Sequence, residues 1–119
     1  SRFSGYKFTM MDAIADNNSS GYYVSGPVSV APEQLDLSLE AVLLEVDGEI
    51  VDSATGAAVH GHPAEALAFA ANTLGERGLA LEPGWVVLTG GMTDAVPVRP
   101  GARLAAHFTS LGSISLSGG

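Results

Sequence analysis

Gly84-Trp85-Val86-Val87-Leu88-Thr89-Gly90-Gly91-Met92-Thr93-Asp94-Ala95-Val96-Pro97-Val98 is the stretch on which the fold turns. Pro83-Gly84 marks a turn, and the apolar segment Trp85–Leu88 follows it. That segment is too short for a helix and rich in β-branched and aromatic residues, so it predicts a buried strand. The strand ends at Thr89-Gly90-Gly91. Two glycines allow positive φ and close approach by another group. With the hydroxyls of Thr89 and Thr93, such a strand end offers N–H and O–H donors to a carboxylate or phosphate. A plain tight turn between two strands would carry the same dipeptide.

Upstream of this stretch lies the one clear helix, predicted over about residues 63–77. Pro63 suits the first helical position, where a missing N–H costs nothing. Glu65 in the first turn and Arg77 in the last match the helix dipole. Leu67, Ala70, Ala71 and Leu74 follow the spacing of one buried face, and Gly78 is placed to cap the C-terminus. Before the helix, Leu35–Val46 alternates apolar and polar residues and predicts a half-buried strand. Asp47-Gly48 is a hairpin dipeptide, with Glu49–Ser53 as the returning strand. The small residues 54–58 suit a bulge or a close backbone contact.

Gly21–Val30 is expected to be a strand broken at Gly26-Pro27, and Asp16–Gly21 a polar loop. Tyr6 and Phe8 suggest a short strand, and Met10–Ala15 one or two helical turns. After the Arg99-Pro100-Gly101 turn, Ala102–Phe108 and Ile114–Leu116 complete about six strands in an α+β, β-dominated fold.

The chain has 119 residues and a net charge of −8, with only Arg2, Lys7, Arg77, Arg99 and Arg103 positive. That balance argues against nucleic acid or an anionic membrane as partner. Without cysteine there is neither a disulfide framework nor a thiolate metal site. No apolar run is long enough to span a membrane and no signal-peptide pattern is present, so a cytoplasmic location is expected. The start at Ser1 without Met points to processing or to a boundary in a longer polypeptide.

His60 and His62 have a spacing that two ligands on one strand could use, but no third ligand is visible; His62 before Pro63 suits a helix entry better. Glu40, Glu45, Asp47, Glu49 and Asp52 could bind a divalent cation, yet they are spread along both hairpin strands. Lys7, the single lysine, sits among apolar residues with Asp12 and Asp16 nearby in sequence. It is a candidate for a substrate-carboxylate contact or a tuned base, or else a surface lysine.

A set of short motifs occurs in order: Ser1-Arg2, Tyr6-Lys7-Phe8, Ala15-Asp16-Asn17, Ser19-Ser20-Gly21, Asp47-Gly48-Glu49, Thr55–Val59, Gly61–Ala64, Ala71-Asn72, Leu88–Gly91 and Leu111–Ser115. Together they resemble the C-terminal half of the 4-oxalocrotonate decarboxylase / 2-oxopent-4-dienoate hydratase family. The resemblance covers essentially the whole chain and implies a mixed β-roll of the fumarylacetoacetate hydrolase-like type. Gly90–Val96 looks more like the decarboxylase branch than the hydratase branch.

The resemblance implies a Mg²⁺-dependent lyase of aromatic meta-cleavage catabolism acting on a small 2-oxo acid, and an oligomer. It also implies that the magnesium ligands are glutamates upstream of the point matching Ser1, absent from this chain. Residues 1–119 would then be the C-terminal part of one catalytic domain, with little activity alone, completed by the missing N-terminal half. The positions carried over are Lys7 as catalytic residue, and Asp16, Asn17, Ser19, Ser20, Thr89, Gly90 and Gly91 as substrate-positioning residues. A hydratase of the same family, or a non-catalytic β-domain forming a subunit interface, are the competing expectations.

Overall fold

The computed structural model describes Gly5 and residues 7–119. The strand expected around Tyr6 and Phe8 falls partly outside those residues, and Phe8 itself is irregular. Among the described residues, four strands form one antiparallel sheet: β1 (Ala41–Val46), β2 (Glu49–Thr55), β3 (Arg103–Phe108) and β4 (Ser113–Ser117), in the order β2-β1-β3-β4. A short helix α1 (Met10–Ala15) precedes the sheet in sequence, and the main helix α2 (Pro63–Gly75) lies between β2 and β3. The α+β class and the single main helix are as the sequence predicts.

Asp47-Gly48 makes the hairpin. Both residues have positive φ, 51° and 90°, as a two-residue turn matched to the strand twist requires. The Asp47 N–H donates to the Arg103 carbonyl, and Asp47 Oδ1 accepts from the Arg103 N–H at 2.8 Å. One turn residue therefore closes the hairpin and docks the third strand. At the other end of β1, the buried Glu40 carboxylate accepts from the N–H groups of Ser110 and Leu111, at 2.7 and 3.2 Å. This acid sits in the β3–β4 turn, not on a solvated hairpin face.

The register puts Val42, Leu44 and Val46 on the same sheet face as Leu104, Ala106, Phe108, Ile114 and Leu116. The pairs Leu44–Asp52 and Glu45–Ile50 leave Val51 as the extra residue of a bulge in β2. The predicted close contact at 54–58 falls on Gly56: a Cβ there would overlap the Leu37 carbonyl oxygen.

Several sequence expectations are corrected. Strand β1 begins at Ala41, not Leu35, because the Asp36 side chain accepts from the Ser38 N–H and hydroxyl and turns the chain there. The Ser38 hydroxyl and N–H hold the Asp36 carboxyl below its ordinary range. Gly21–Val30 and Trp85–Leu88 have no regular secondary structure and pair with no strand among the described residues. Trp85, Val86 and Leu88 are about 60 % exposed, so the segment expected to be buried is not.

Helix α2 starts as predicted, with Pro63 at its first position and His62 as N-cap, Nδ1 accepting from the Ala64 N–H at 3.0 Å. It ends in the left-handed Gly78, with Leu79 N–H bonded to Leu74 C=O and Gly78 N–H to Gly75 C=O. Its predicted inner face is only half-buried at Ala70, Ala71 and Leu74, and Leu67 is exposed. No helix among the described residues is long and apolar enough to cross a membrane.

The two glycines Gly56 and Gly75 should respond to alanine in opposite directions. Gly56→Ala meets backbone and should cost about 2–4 kcal/mol. Gly75→Ala meets nothing within 4 Å inside a helix and should stabilise by up to about 1 kcal/mol. Urea-unfolding midpoints of the two variants check this; a Gly56→Ala midpoint equal to the parent's would contradict the close contact.

Candidate functional site

The loop after α1 is built by its capping residue. Thr9 and Asp12 form a capping box: Asp12 Oδ2 accepts from the Thr9 N–H and hydroxyl, at 2.9 and 2.8 Å, while the Asp12 N–H donates to Thr9 Oγ1. Past the helix, Asn17, Asn18 and Ser19 all have positive φ, 51°, 50° and 62°. This is a single left-handed turn, closed by Ser19 N–H to Asp16 C=O and Ser20 N–H to Asn17 C=O. Asparagine tolerates this region better than most residues, but three in succession store backbone strain. Such strain concentrates where a loop must hold a ligand-facing shape.

The second wall is Val86–Gly91. Gly90 has φ +126°, which only glycine adopts comfortably, and its backbone lies over the buried Val59 side chain. Three residues on, the Asp94 N–H donates to Asp52 Oδ2 at 3.2 Å, tying the double-glycine bend to β2. The two walls enclose an open cleft of about 760 Å³ lined by Asn17, Asn18, Ser20 and residues 86–91. A smaller cleft of about 190 Å³ continues along Tyr22 and Tyr23.

Five of the sequence-predicted site residues thus meet: Asn17, Ser20, Thr89, Gly90 and Gly91. Asp16 is buried behind them and Ser19 is half-buried, and neither lines the cleft. The Ser19 hydroxyl oxygen is buried and has no hydrogen-bond partner among the described residues, an open bonding position in this loop. Lys7 is exposed in the irregular segment before Thr9 and is outside the lining. Asn18 and the flank Val86–Leu88 were not expected in the site. The flank's apolar residues predict core, and only its adjacency to Thr89 signals otherwise.

The lining carries neutral donors and apolar carbon but no charged side chain. It can orient an amphiphilic small molecule, with hydroxyl, amide and N–H groups toward its polar end. A dicarboxylate there would need its counter-charge from another source.

The hairpin acids do not supply a cation site. Glu40 and Asp47 bind backbone N–H groups, Asp52 holds the Asp94 N–H, and Glu45 Oε2 lies 3.1 Å from His107 Nε2. The other His107 nitrogen bonds Ser113 Oγ at 2.9 Å, completing a link across β1, β3 and β4. Among the described residues, no three of His, Asp and Glu are grouped to hold a metal ion. The described residues therefore do not form a metal site by themselves.

An α+β sheet domain with a polar, glycine-lined cleft is the frame on which the similarities rest. The chain belongs to the fumarylacetoacetate hydrolase family: residues 4–116 match its fumarylacetoacetate (FAA) hydrolase C-terminal region. Within that family it is similar to 4-oxalocrotonate decarboxylase of Pseudomonas putida, 41% identical over 97% of this chain and 44% of the relative. It is similar also to 2-hydroxyhexa-2,4-dienoate hydratase of Comamonas testosteroni, 38% identical over 98% of this chain and 44% of the relative. The solved 4-oxalocrotonate decarboxylase from Pseudomonas putida G7, complexed with magnesium and adipate, superposes with a TM-score of 0.92 at 40% identity. That superposition covers 98% of this chain and 44% of the other. The chain thus spans less than half the length of these relatives.

The capping box sets an acid limit on the loop that carries Asn17. Bonds from the Thr9 backbone and hydroxyl hold the Asp12 carboxyl below its ordinary value of 3.8. A lowered carboxyl pKa stabilises α1 above the unfolded value and ceases to do so as pH falls through the folded value. Amide shifts of Thr9 and Asp12, followed from about pH 6 to pH 2, should move only below the ordinary aspartate range. Asp12→Asn should abolish that titration.

Proposed function

We propose that this chain is the substrate-positioning part of a carbon–carbon lyase that decarboxylates 2-oxo-3-hexenedioate (4-oxalocrotonate) to 2-hydroxypenta-2,4-dienoate. The observation that carries this is the meeting of two separate stretches, 17–20 and 89–91, in one cleft of a chain similar to such decarboxylases. The slightly higher identity to the decarboxylase favours it over hydration of 2-hydroxypenta-2,4-dienoate, which remains the second reading because a hydratase is nearly as similar.

In the reaction the C5–C6 bond breaks and C6 leaves as CO₂. The bonding pair moves into C4–C5 and, through the conjugated chain, onto the C2 oxygen, which then takes a proton. What this chain contributes is position. The Gly90 and Gly91 backbone and the Thr89, Ser20 and Asn17 side chains orient the polar end of the substrate, with Asn17 and Ser20 held by the turn that Asp16 and Ser19 close. Val86–Leu88 offer apolar surface to the carbon chain. Lys7 is assigned as the catalytic cation that meets a substrate carboxylate. A solved relative, the Pseudomonas putida G7 decarboxylase, is complexed with magnesium and adipate. The acids that would hold such an ion are assigned to polypeptide outside these residues, and the chain works as an oligomer or in complex with that polypeptide. Alone it should show little turnover.

The test is a single polypeptide joining the unmatched part of the Pseudomonas putida decarboxylase to this chain, assayed with both substrates. Release of CO₂ from 2-oxo-3-hexenedioate is expected. Turnover of 2-hydroxypenta-2,4-dienoate alone would replace the decarboxylase assignment with the hydratase. Thr89→Ala and Asn17→Ala should each lower kcat/KM by about 10–100-fold, the worth of a hydrogen bond to a charged group. Unaltered kcat/KM in both, and in Lys7→Ala, would mark the chain as a non-catalytic interface domain.

A further inference from the structure

His107 and the motif Leu111–Ser115 line neither wall of the cleft, yet the sheet register brings them together. Ser113 and His107 are partners across β4 and β3. The Phe108 N–H donates to the Gly112 carbonyl at 2.8 Å, so the adjacent His107–Ser113 pair is one of the close, non-hydrogen-bonded pairs of an antiparallel ladder. Side chains of such a pair lie nearest each other, and Ser113 Oγ is 2.9 Å from His107 Nδ1. On β1, Leu43 faces His107 and Glu45 faces Ala105, which puts Glu45 diagonal to His107 on the same side of the sheet. Glu45 Oε2 is 3.1 Å from His107 Nε2.

A carboxylate only accepts, so Nε2 carries the imidazole proton and Nδ1 is left to accept from the Ser113 hydroxyl. Serine, histidine and carboxylate thus form a relay, in which the hydroxyl donates to an imidazole whose far nitrogen donates to Glu45. This arrangement makes a serine oxygen nucleophilic, and it is recognised by roles and geometry rather than by order in the chain. The oxygen is within reach of a small molecule: Ser113 is exposed, and the His107 and Glu45 side chains are 41% and 27% exposed. In a non-hydrogen-bonded pair the N–H points away from the partner strand, and β4 is the edge of the sheet among the described residues. The Ser113 N–H therefore faces outward, where it can meet a developing oxyanion. The face itself is the polar one, since Ser113, Ser115 and Ser117 alternate along β4 with Ile114 and Leu116.

We propose that Ser113 is a site of covalent acylation, with His107 as its base and Glu45 as the residue that positions the imidazole. The Ser113 proton passes to His107 Nδ1 as a bond forms between Oγ and the acyl carbon. The bond from that carbon to the leaving oxygen then breaks, and the leaving group departs with the electron pair, the proton returning to it or to solvent. Glu45 disfavours an anionic donor, so the donor is a small neutral ester with a good leaving group. The site is separate from the cleft, and the proposal does not depend on decarboxylation.

The probe is 4-nitrophenyl acetate with the 119-residue chain, read by peptide mass mapping and by release of 4-nitrophenolate. Ser113 should take up acetyl at least about 100-fold faster than Ser115 and Ser117, which share its strand and face but stand opposite Ala105 and Arg103. Ser113→Ala should remove the labelled peptide, and His107→Gln should bring Ser113 down to the rate of the other two serines. Glu45→Gln should slow it by at least about 10-fold and shift the His107 ring nitrogens away from the Nε2–H tautomer, while the amide spectra of β1 and β3 stay unchanged. That spectroscopic shift separates positioning from loss of the sheet. Equal labelling of the three serines would overturn the proposal, as would acetyl on His107 alone, or a Ser113 rate that both His107→Gln and Glu45→Gln leave unaltered.

Discussion

Strand β1 is held at both ends by a carboxylate that reaches the same neighbour. At its C-terminal end Asp47 exchanges two bonds with Arg103, and at its N-terminal end Glu40 binds the amides of Ser110 and Leu111. These acids join positions 56 to 71 residues apart in sequence. Glu40 is buried, a position tolerated only where N–H groups meet the charge, whereas Asp47 is exposed; each clamp fixes a register as well as a distance. The loops that form the cleft depend on this frame, because the double-glycine bend is tied through Asp94 to β2, and β2 is set by the same hairpin.

The frame explains where the acids of the chain go. The sequence presents Glu40, Glu45, Asp47, Glu49 and Asp52 as a cluster, and a cluster invites a cation. Each strand residue instead points to the opposite side from its neighbour, and four of these carboxylates meet separate structural partners. A cleft with neutral donors and no charge is what remains. An ion such as the magnesium held by the solved relative would need groups that the described residues do not bring together.

Local chemistry was legible and partnership was not. Asp47-Gly48, Pro63, Gly78 and the 103–108 strand could be read from residue types because a turn, a helix end or a paired alternation is decided within a few positions. Gly56 was readable as a close contact, though not as one with Leu37. Trp85–Leu88 was read as buried because apolar runs usually are, and Leu35 as strand because alternation does not show that Asp36 will bond Ser38 instead. Asn17 and Ser20 are singled out by the resemblance, and Thr89 already by its hydroxyl at the double-glycine strand end. Composition alone would not have set Asn17–Ser19 in a left-handed turn, nor shown that Asp52 supports the bend 42 residues away.

The bulge at Val51 adds a final point. Side chains along a strand alternate, so the one extra residue decides on which side of the sheet Asp52 emerges. Almost any side chain could stand at this exposed place, yet its removal would turn Asp52 away from Asp94 and let the glycine bend drift. Variation here is therefore constrained in length rather than in identity: the position can be rewritten but not deleted.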